Sequence, residues 1–106
     1  MTKTEIRLRA WLADPSNIAK QTDLSSIGKF VVRNMFVTSN GHEISIQHSA
    51  LHYCDENSVE MWQCPHRPVL DAYGDGEDPY ARVPLNVVAD YIDVLEGETL
   101  DTVKDM

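Results

Sequence analysis

The sequence predicts one α+β domain spanning residues 1–106: an N-terminal helix, a three-stranded antiparallel β-meander, and a C-terminal amphipathic helix packed on the sheet. Three observations carry this expectation. Thr2-Lys3-Thr4-Glu5 has capping-box spacing and precedes Leu8, Trp11 and Leu12 at i, i+3 and i+4. Asn40-Gly41 separates two alternating apolar runs, which is a strong local signal for a β-hairpin. Leu85, Val88, Tyr91, Ile92 and Leu95 then form one helical stripe between Pro84 and Gly97.

The N-terminal helix is expected over Lys3–Ala13. Asp14-Pro15 stops it and starts a further turn, with Asp14 as cap, Pro15 in the first helical position, and Ile18, Ala19 and Leu24 as the buried side of that turn. The first strand runs from residue 29 to 38 and the second from 43 to about 54. A two-residue type I′ turn at Asn40-Gly41 sets Val37 opposite Ile44, Met35 opposite Ile46 and Arg33 opposite His48, because paired positions keep a constant sum. Met35, Val37, Ile44 and Ile46 then share the core face.

Asp55-Glu56-Asn57-Ser58 reads as a polar turn and residues 59–64 as the third strand, with Cys54 opposite Val59 and His52 opposite Met61. The apolar parity of the second strand shifts between Ile46 and Leu51, which suits a bulge near Ser49. Pro65, Pro68, Gly74, Gly76 and Pro79 mark residues 65–82 as an irregular connection, interrupted by a short edge strand at residues 80–83. On the last helix Asn86, Asp90, Asp93 and Glu96 take the side away from the apolar stripe, and residues 98–106 are expected to fray or add one turn. Trp62, Tyr73 and Tyr80 are read as covering the open side of a thin sheet.

Composition narrows the function. The chain has no apolar run near 18 residues and no apolar signal core at its N-terminus, so it is expected to be soluble, cytoplasmic and without a membrane partner. Its two cysteines are then expected to be reduced. The net charge of −8 is distributed unevenly: residues 1–54 hold four acids against six bases, and residues 55–106 hold thirteen acids against Arg67, Arg82 and Lys104, a balance of +2 against −10. An acidic half repels nucleic acid and attracts basic surfaces.

Several constellations bear on chemistry. His52-x-Cys54 and Cys64-x-His66 hold the inventory of a Cys₂His₂ zinc site, but on extended strands. Even with the third strand slipped by one residue, the two thiols lie roughly 13 Å apart at ~3.3 Å per residue. The same residues with His48 are the raw material of a thiol nucleophile, yet no glycine-rich elbow or helix N-terminus accompanies either cysteine. Asp71, Asp75, Glu77 and Asp78 lie in a Gly-containing loop, but Tyr73 and Arg82 stand at the third and twelfth positions, where a helix-loop-helix calcium site needs ligands. No metal, cofactor or catalytic residue is therefore expected.

The acids form the stronger pattern. Asp90, Asp93 and Glu96 rise by about 4.5 Å per step along the helix, and Asp71, Asp75, Glu77 and Asp78 extend the strip if the loop folds back. Such a strip imitates a row of phosphates and suits the basic groove of a nucleic-acid enzyme.

Asn40-Gly41-His42-Glu43-Ile44-Ser45-Ile46-Gln47, His52-Tyr53-Cys54, Val59-Glu60-Met61-Trp62 and Pro79-Tyr80-Ala81-Arg82-Val83-Pro84 together resemble small accessory proteins of bacteriophages and mobile elements. The resemblance spans about residues 34–97 and leaves residues 1–29 outside it. It implies no catalytic residues. It implies a non-enzymatic inhibitor in the host bacterial cytoplasm, of the anti-CRISPR or antirestriction kind, whose partner is a nuclease or Cas complex with a basic nucleic-acid-binding surface. The alternatives are a thiol- or metal-dependent small hydrolase using His52, Cys54, Cys64 or His66, and a small-ligand-binding or self-assembling phage protein with an exposed sheet edge. Oligomeric state has no signature in the sequence.

Overall fold

A computed structural model describes residues 1–23, 26, 28–49, 57–74 and 79–98. The expected Leu24, His52 and Cys54 contacts, the Asp75, Glu77 and Asp78 positions, and the tail beyond Glu98 lie outside the described residues. The chain runs α1 (Lys3–Ala13), a 3₁₀ turn (Pro15–Asn17), β1 (Ile18–Asp23), β2 (Lys29–Arg33), β3 (Phe36–Val37), β4 (Glu43–Gln47), β5 (Ser58–Trp62), a second 3₁₀ helix (Pro68–Tyr73), β6 (Tyr80–Pro84) and α2 (Leu85–Glu96). The class is α+β as expected, but the single three-stranded meander is replaced by two antiparallel sheets, a β1-β2 ribbon and a four-stranded sheet in the order β3-β4-β5-β6.

The two helices form where the local signals place them. Thr2 Oγ1 accepts the Glu5 N–H at 3.1 Å, which closes one free donor of the first turn of α1. The Glu5 carboxylate turns to Arg9 Nε at 2.9 Å, one helical turn on. Asp14 caps the following 3₁₀ turn through the Ser16 N–H at 2.9 Å. Beyond Asn17, however, the chain extends into β1 instead of adding helix. β1 pairs with β2 from Ile18↔Arg33 to Asp23↔Lys29, and only Ile18 escapes full exposure. The β-rich run Phe30-Val31-Val32 supplies the partner that overrides the helix start.

The hairpin is displaced by one residue from the expected register. Phe36 pairs with Ile44 and Val37 with Glu43. The Gly41 N–H bonds Thr38 O at 3.0 Å and the Thr38 N–H bonds His42 O at 2.9 Å, so three residues form the loop instead of two. Gly41 has φ +93° while Asn40 lacks a positive φ, which is the bulged three-residue loop and not type I′. A shift of one residue reverses the faces of β3: Phe36 is buried and Val37 is 57% exposed. Met35 likewise leaves the core face, whereas Ile44 and Ile46 keep it. A Cβ on Gly41 would meet nothing within 4 Å. Gly41→Ala is therefore expected to cost only backbone strain, about 1 kcal/mol by urea denaturation, and Gly41→Asn less.

Residues 29–38 also fail to make one strand; they break at Asn34-Met35 into β2 and β3. Side chains, not a backbone ladder, tie β2 to the main sheet. Gln47 Oε1 accepts the Arg33 N–H (2.8 Å) and its Nε2 donates to Arg33 O (3.1 Å). Ser49 Oγ accepts the Val31 N–H (3.0 Å) and donates to Val31 O (3.2 Å). β4 accordingly ends at Gln47. It meets β5 through Ser45↔Trp62, Ile46↔Met61 and Gln47↔Glu60, six residues away from the expected His52–Met61 alignment. Parity survives this shift, so Val59 and Met61 still join Ile44 and Ile46 in the core.

β6 is the edge strand expected there, with Ala81 and Arg82 bulged opposite Glu60 and Arg82 at φ +48°. α2 lays Leu85, Val88, Tyr91, Ile92 and Leu95 against the core, all buried as its periodicity predicts. α1 packs beside it through Leu8. Of the three aromatics, Tyr80 is buried, Tyr73 packs on the core, and Trp62 is 40% exposed with its Nε1–H donated to Glu60.

Candidate functional site

The expected acidic strip divides once its residues are placed. Asp90 and Asp93 stand exposed on α2, opposite its apolar stripe. Asp93 accepts a hydrogen bond from Thr4 Oγ1 of α1 and remains open to solvent. Asp71 lies on the second 3₁₀ helix, where its Oδ1 contacts His66 Nε2 at 2.9 Å.

Glu96 shares the helical spacing of Asp90 and Asp93 but has a different environment. Arg7 Nη2 of α1 donates to both its oxygens, at 2.9 and 2.8 Å, and the Ser39 N–H of the β3–β4 loop donates at 2.6 Å. Its side chain is only 14% exposed. Burial pushes its carboxyl up, and the Ser39 and Arg7 bonds together outweigh that and hold it below the usual carboxylate range. Glu96 is thus the meeting point of α1, the hairpin loop and α2.

Asn40 extends the same junction. Its Nδ2 donates to Leu95 O at 2.7 Å and to Glu98 O at 3.3 Å, capping carbonyls at the end of α2. In the sequence Asn40 signals only a turn. The side-chain role has no local signal, because its acceptors lie 55 residues on or more. Glu98 is also held internally: Arg67 Nε and Nη2 bond its two oxygens at 2.6 and 2.9 Å, and this fork lowers its carboxyl below the ordinary range.

A second cluster gathers residues that the sequence singled out separately. His66 Nδ1 lies 3.0 Å from the Tyr80 hydroxyl, with its Nε2 on Asp71 and the two rings stacked at 6.3 Å. Next to it, the Tyr91 hydroxyl donates to Pro65 O and contacts the Cys64 thiol. Burial, with Cys64 second, pushes that hydroxyl far above its ordinary range, so Tyr91 stays protonated as a donor. Among the described residues no three His, Cys, Asp or Glu side chains come together as metal ligands. No helix of the described residues is long and apolar enough to cross a membrane.

The described surface thus presents Asp90, Asp93 and Asp71 to solvent and commits Glu96 and Glu98 to internal pairs. Comparison with known proteins finds no matching family model, curated protein or solved structure.

Proposed function

We propose that the chain is a non-enzymatic binding protein of the phage accessory kind, which inhibits a host nucleic-acid-handling defence complex by docking its acidic half on a basic surface. The observation that supports this most is the charge division: −10 over residues 55–106 against +2 over residues 1–54. Asp90 and Asp93 put part of that charge on an exposed helix face, where long-range attraction to a cationic groove speeds association. Asp71 is exposed as well, and Asp75, Glu77 and Asp78 add to the charge of the same acidic half. Glu96 offers no contact, since Arg7 and Ser39 occupy its oxygens, and the Arg7 guanidinium offsets its charge.

The test is capture from a bacterial lysate at low and high salt, followed by competition with double-stranded DNA. A partner that itself binds nucleic acid is expected to be retained at low salt and displaced both by high salt and by DNA. The triple variant Asp71→Lys, Asp90→Lys, Asp93→Lys is expected to lose that partner while keeping its far-UV spectrum and melting temperature. Retention by the triple variant removes this face as the docking site. A partner that holds DNA and this chain together rules out phosphate mimicry.

A further inference from the structure

The Asn40-Gly41 pair of the β3–β4 loop has a reactivity of its own besides its turn. Asparagine followed by glycine is the dipeptide most prone to deamidation, because no side chain shields the glycine nitrogen from the neighbouring amide. Asn40 is exposed, and a Cβ at Gly41 would meet nothing within 4 Å, so packing puts no wall around the reacting atoms. We propose that Asn40 is a self-modification site gated by the end of α2: it deamidates when the loop releases Leu95 and Glu98, and the product bars the loop from closing again.

The reaction needs only water. The Gly41 nitrogen, losing its proton, bonds to Asn40 Cγ; the Cγ–Nδ2 bond breaks, and Nδ2 leaves with that proton as ammonia. Water then opens the cyclic imide at either carbonyl, giving aspartate or, with the main chain routed through the side chain, isoaspartate. The fold engages every group involved. The Gly41 N–H donates to Thr38 O at 3.0 Å, and Asn40 Oδ1 accepts from Thr38 Oγ1 at 2.7 Å. Asn40 Nδ2 donates to Leu95 O at 2.7 Å and to Glu98 O at 3.3 Å. Ring closure sets Cγ against the Gly41 nitrogen, so the bond to Thr38 O must break, and the swing of the amide takes Nδ2 off Leu95 and Glu98.

Charge makes the step one-way. The intact amide supplies N–H donors to carbonyls at the C-terminal end of α2, where the helix carries partial negative charge. A carboxylate in its place has no proton to donate and sets a new anion beside those carbonyls, next to Ser39, whose N–H is already held by the Glu96 carboxylate. The Glu98 end cannot retreat, since Arg67 clamps its side chain through both oxygens. Isoaspartate also adds a methylene to the main chain of a tight hairpin loop, which the hydrogen bonds between Thr38, Gly41 and His42 do not accommodate.

Peptide mass spectrometry of the full chain, incubated at neutral pH in buffer and in urea, gives the rate of modification at Asn40. The folded chain is expected to react at least about tenfold more slowly than the unfolded chain. Thr38→Val keeps the shape of the residue and removes the hydroxyl that holds Asn40 Oδ1 and the His42 N–H. With its far-UV spectrum preserved, it is expected to react about threefold faster than the parent in buffer and at the parent's rate in urea. Asn40→Asp reproduces the charge of the product and is expected to melt below both the parent and Asn40→Ala, which loses the donor alone. Equal rates with and without urea, a Thr38→Val rate in buffer equal to the parent's, or an Asn40→Asp chain that melts no lower than Asn40→Ala would each overturn the proposal.

Discussion

Truncating Phe36 to Ala is expected to destabilise the fold by about 3–5 kcal/mol, while Val37→Ala changes stability by no more than about 0.5 kcal/mol. The two residues are neighbours on one short strand, and the difference comes only from the hairpin register. Phe36 is 3% exposed, meets the Trp11 ring edge-on at 5.3 Å, and has the Arg7 guanidinium 5.7 Å from its ring centroid. Its removal opens a cavity between β3 and α1 and ends an aromatic pair and a cation–π contact together. Val37 points the other way, paired with Glu43 on the solvent side. For a domain of this size the Phe36 loss lowers the melting temperature by roughly 15 °C or more. Urea denaturation of both variants checks the register in solution: a two-residue turn reverses the order of the two costs, and equal costs contradict the bulged loop.

That register marks where local sequence information stops. Asn-Gly fits both central positions of a type I′ turn, and it equally fits the last two residues of a three-residue loop. Both faces of residues 35–38 offer an apolar side chain, so alternation does not choose between them. By contrast Thr2 and Asp14 act through donors two or three residues away, and the stripe from Leu85 to Leu95 repeats within one helix. Those elements were readable because their causes are local. β1 was not, since Lys20, Gln21 and Thr22 carry no burial pattern and extend only because Phe30, Val31 and Val32 lie alongside. The parity shift after Ile46 is visible in the sequence, but its cause is not. Gln47 and Ser49 stop the ladder because they bond Arg33 and Val31, 14 and 18 residues earlier.

The candidate sites follow the same division. Helical spacing alone places Asp90 and Asp93 on the exposed face of α2. Spacing places Glu96 there too, and only its contacts with Arg7 and the Ser39 N–H, 89 and 57 residues away in sequence, remove it. His66 and Cys64 stand out in the sequence for their chemistry. They sit beside Tyr80 and Tyr91, whose hydroxyls no spacing argument connects to them.

Charge reversal along α2 should separate the residues that the strip joined. Glu96→Lys is expected to cost about 2–3 kcal/mol at neutral pH, because it leaves the Ser39 N–H without its acceptor and sets an ammonium against Arg7. Asp90→Lys, on the exposed face, is expected to stay within about 0.5 kcal/mol of the parent. Acid gives an independent reading of the same junction. Glu96 and Glu98 both have folded carboxyls held below the ordinary value of 4.5, so the stability they contribute is complete above that value and declines as pH falls through the lower folded values. The parent is therefore expected to lose stability as pH drops below about 4.5, and a Glu96→Gln, Glu98→Gln variant, weaker at neutral pH, should lose less over the same interval. Denaturant midpoints measured across that range decide the matter. If Glu96→Lys costs no more than Asp90→Lys and the double variant keeps the full acid dependence, the junction of α1, the hairpin loop and α2 does not hold in solution, and Glu96 rejoins Asp90 and Asp93 as a free carboxylate for a basic partner.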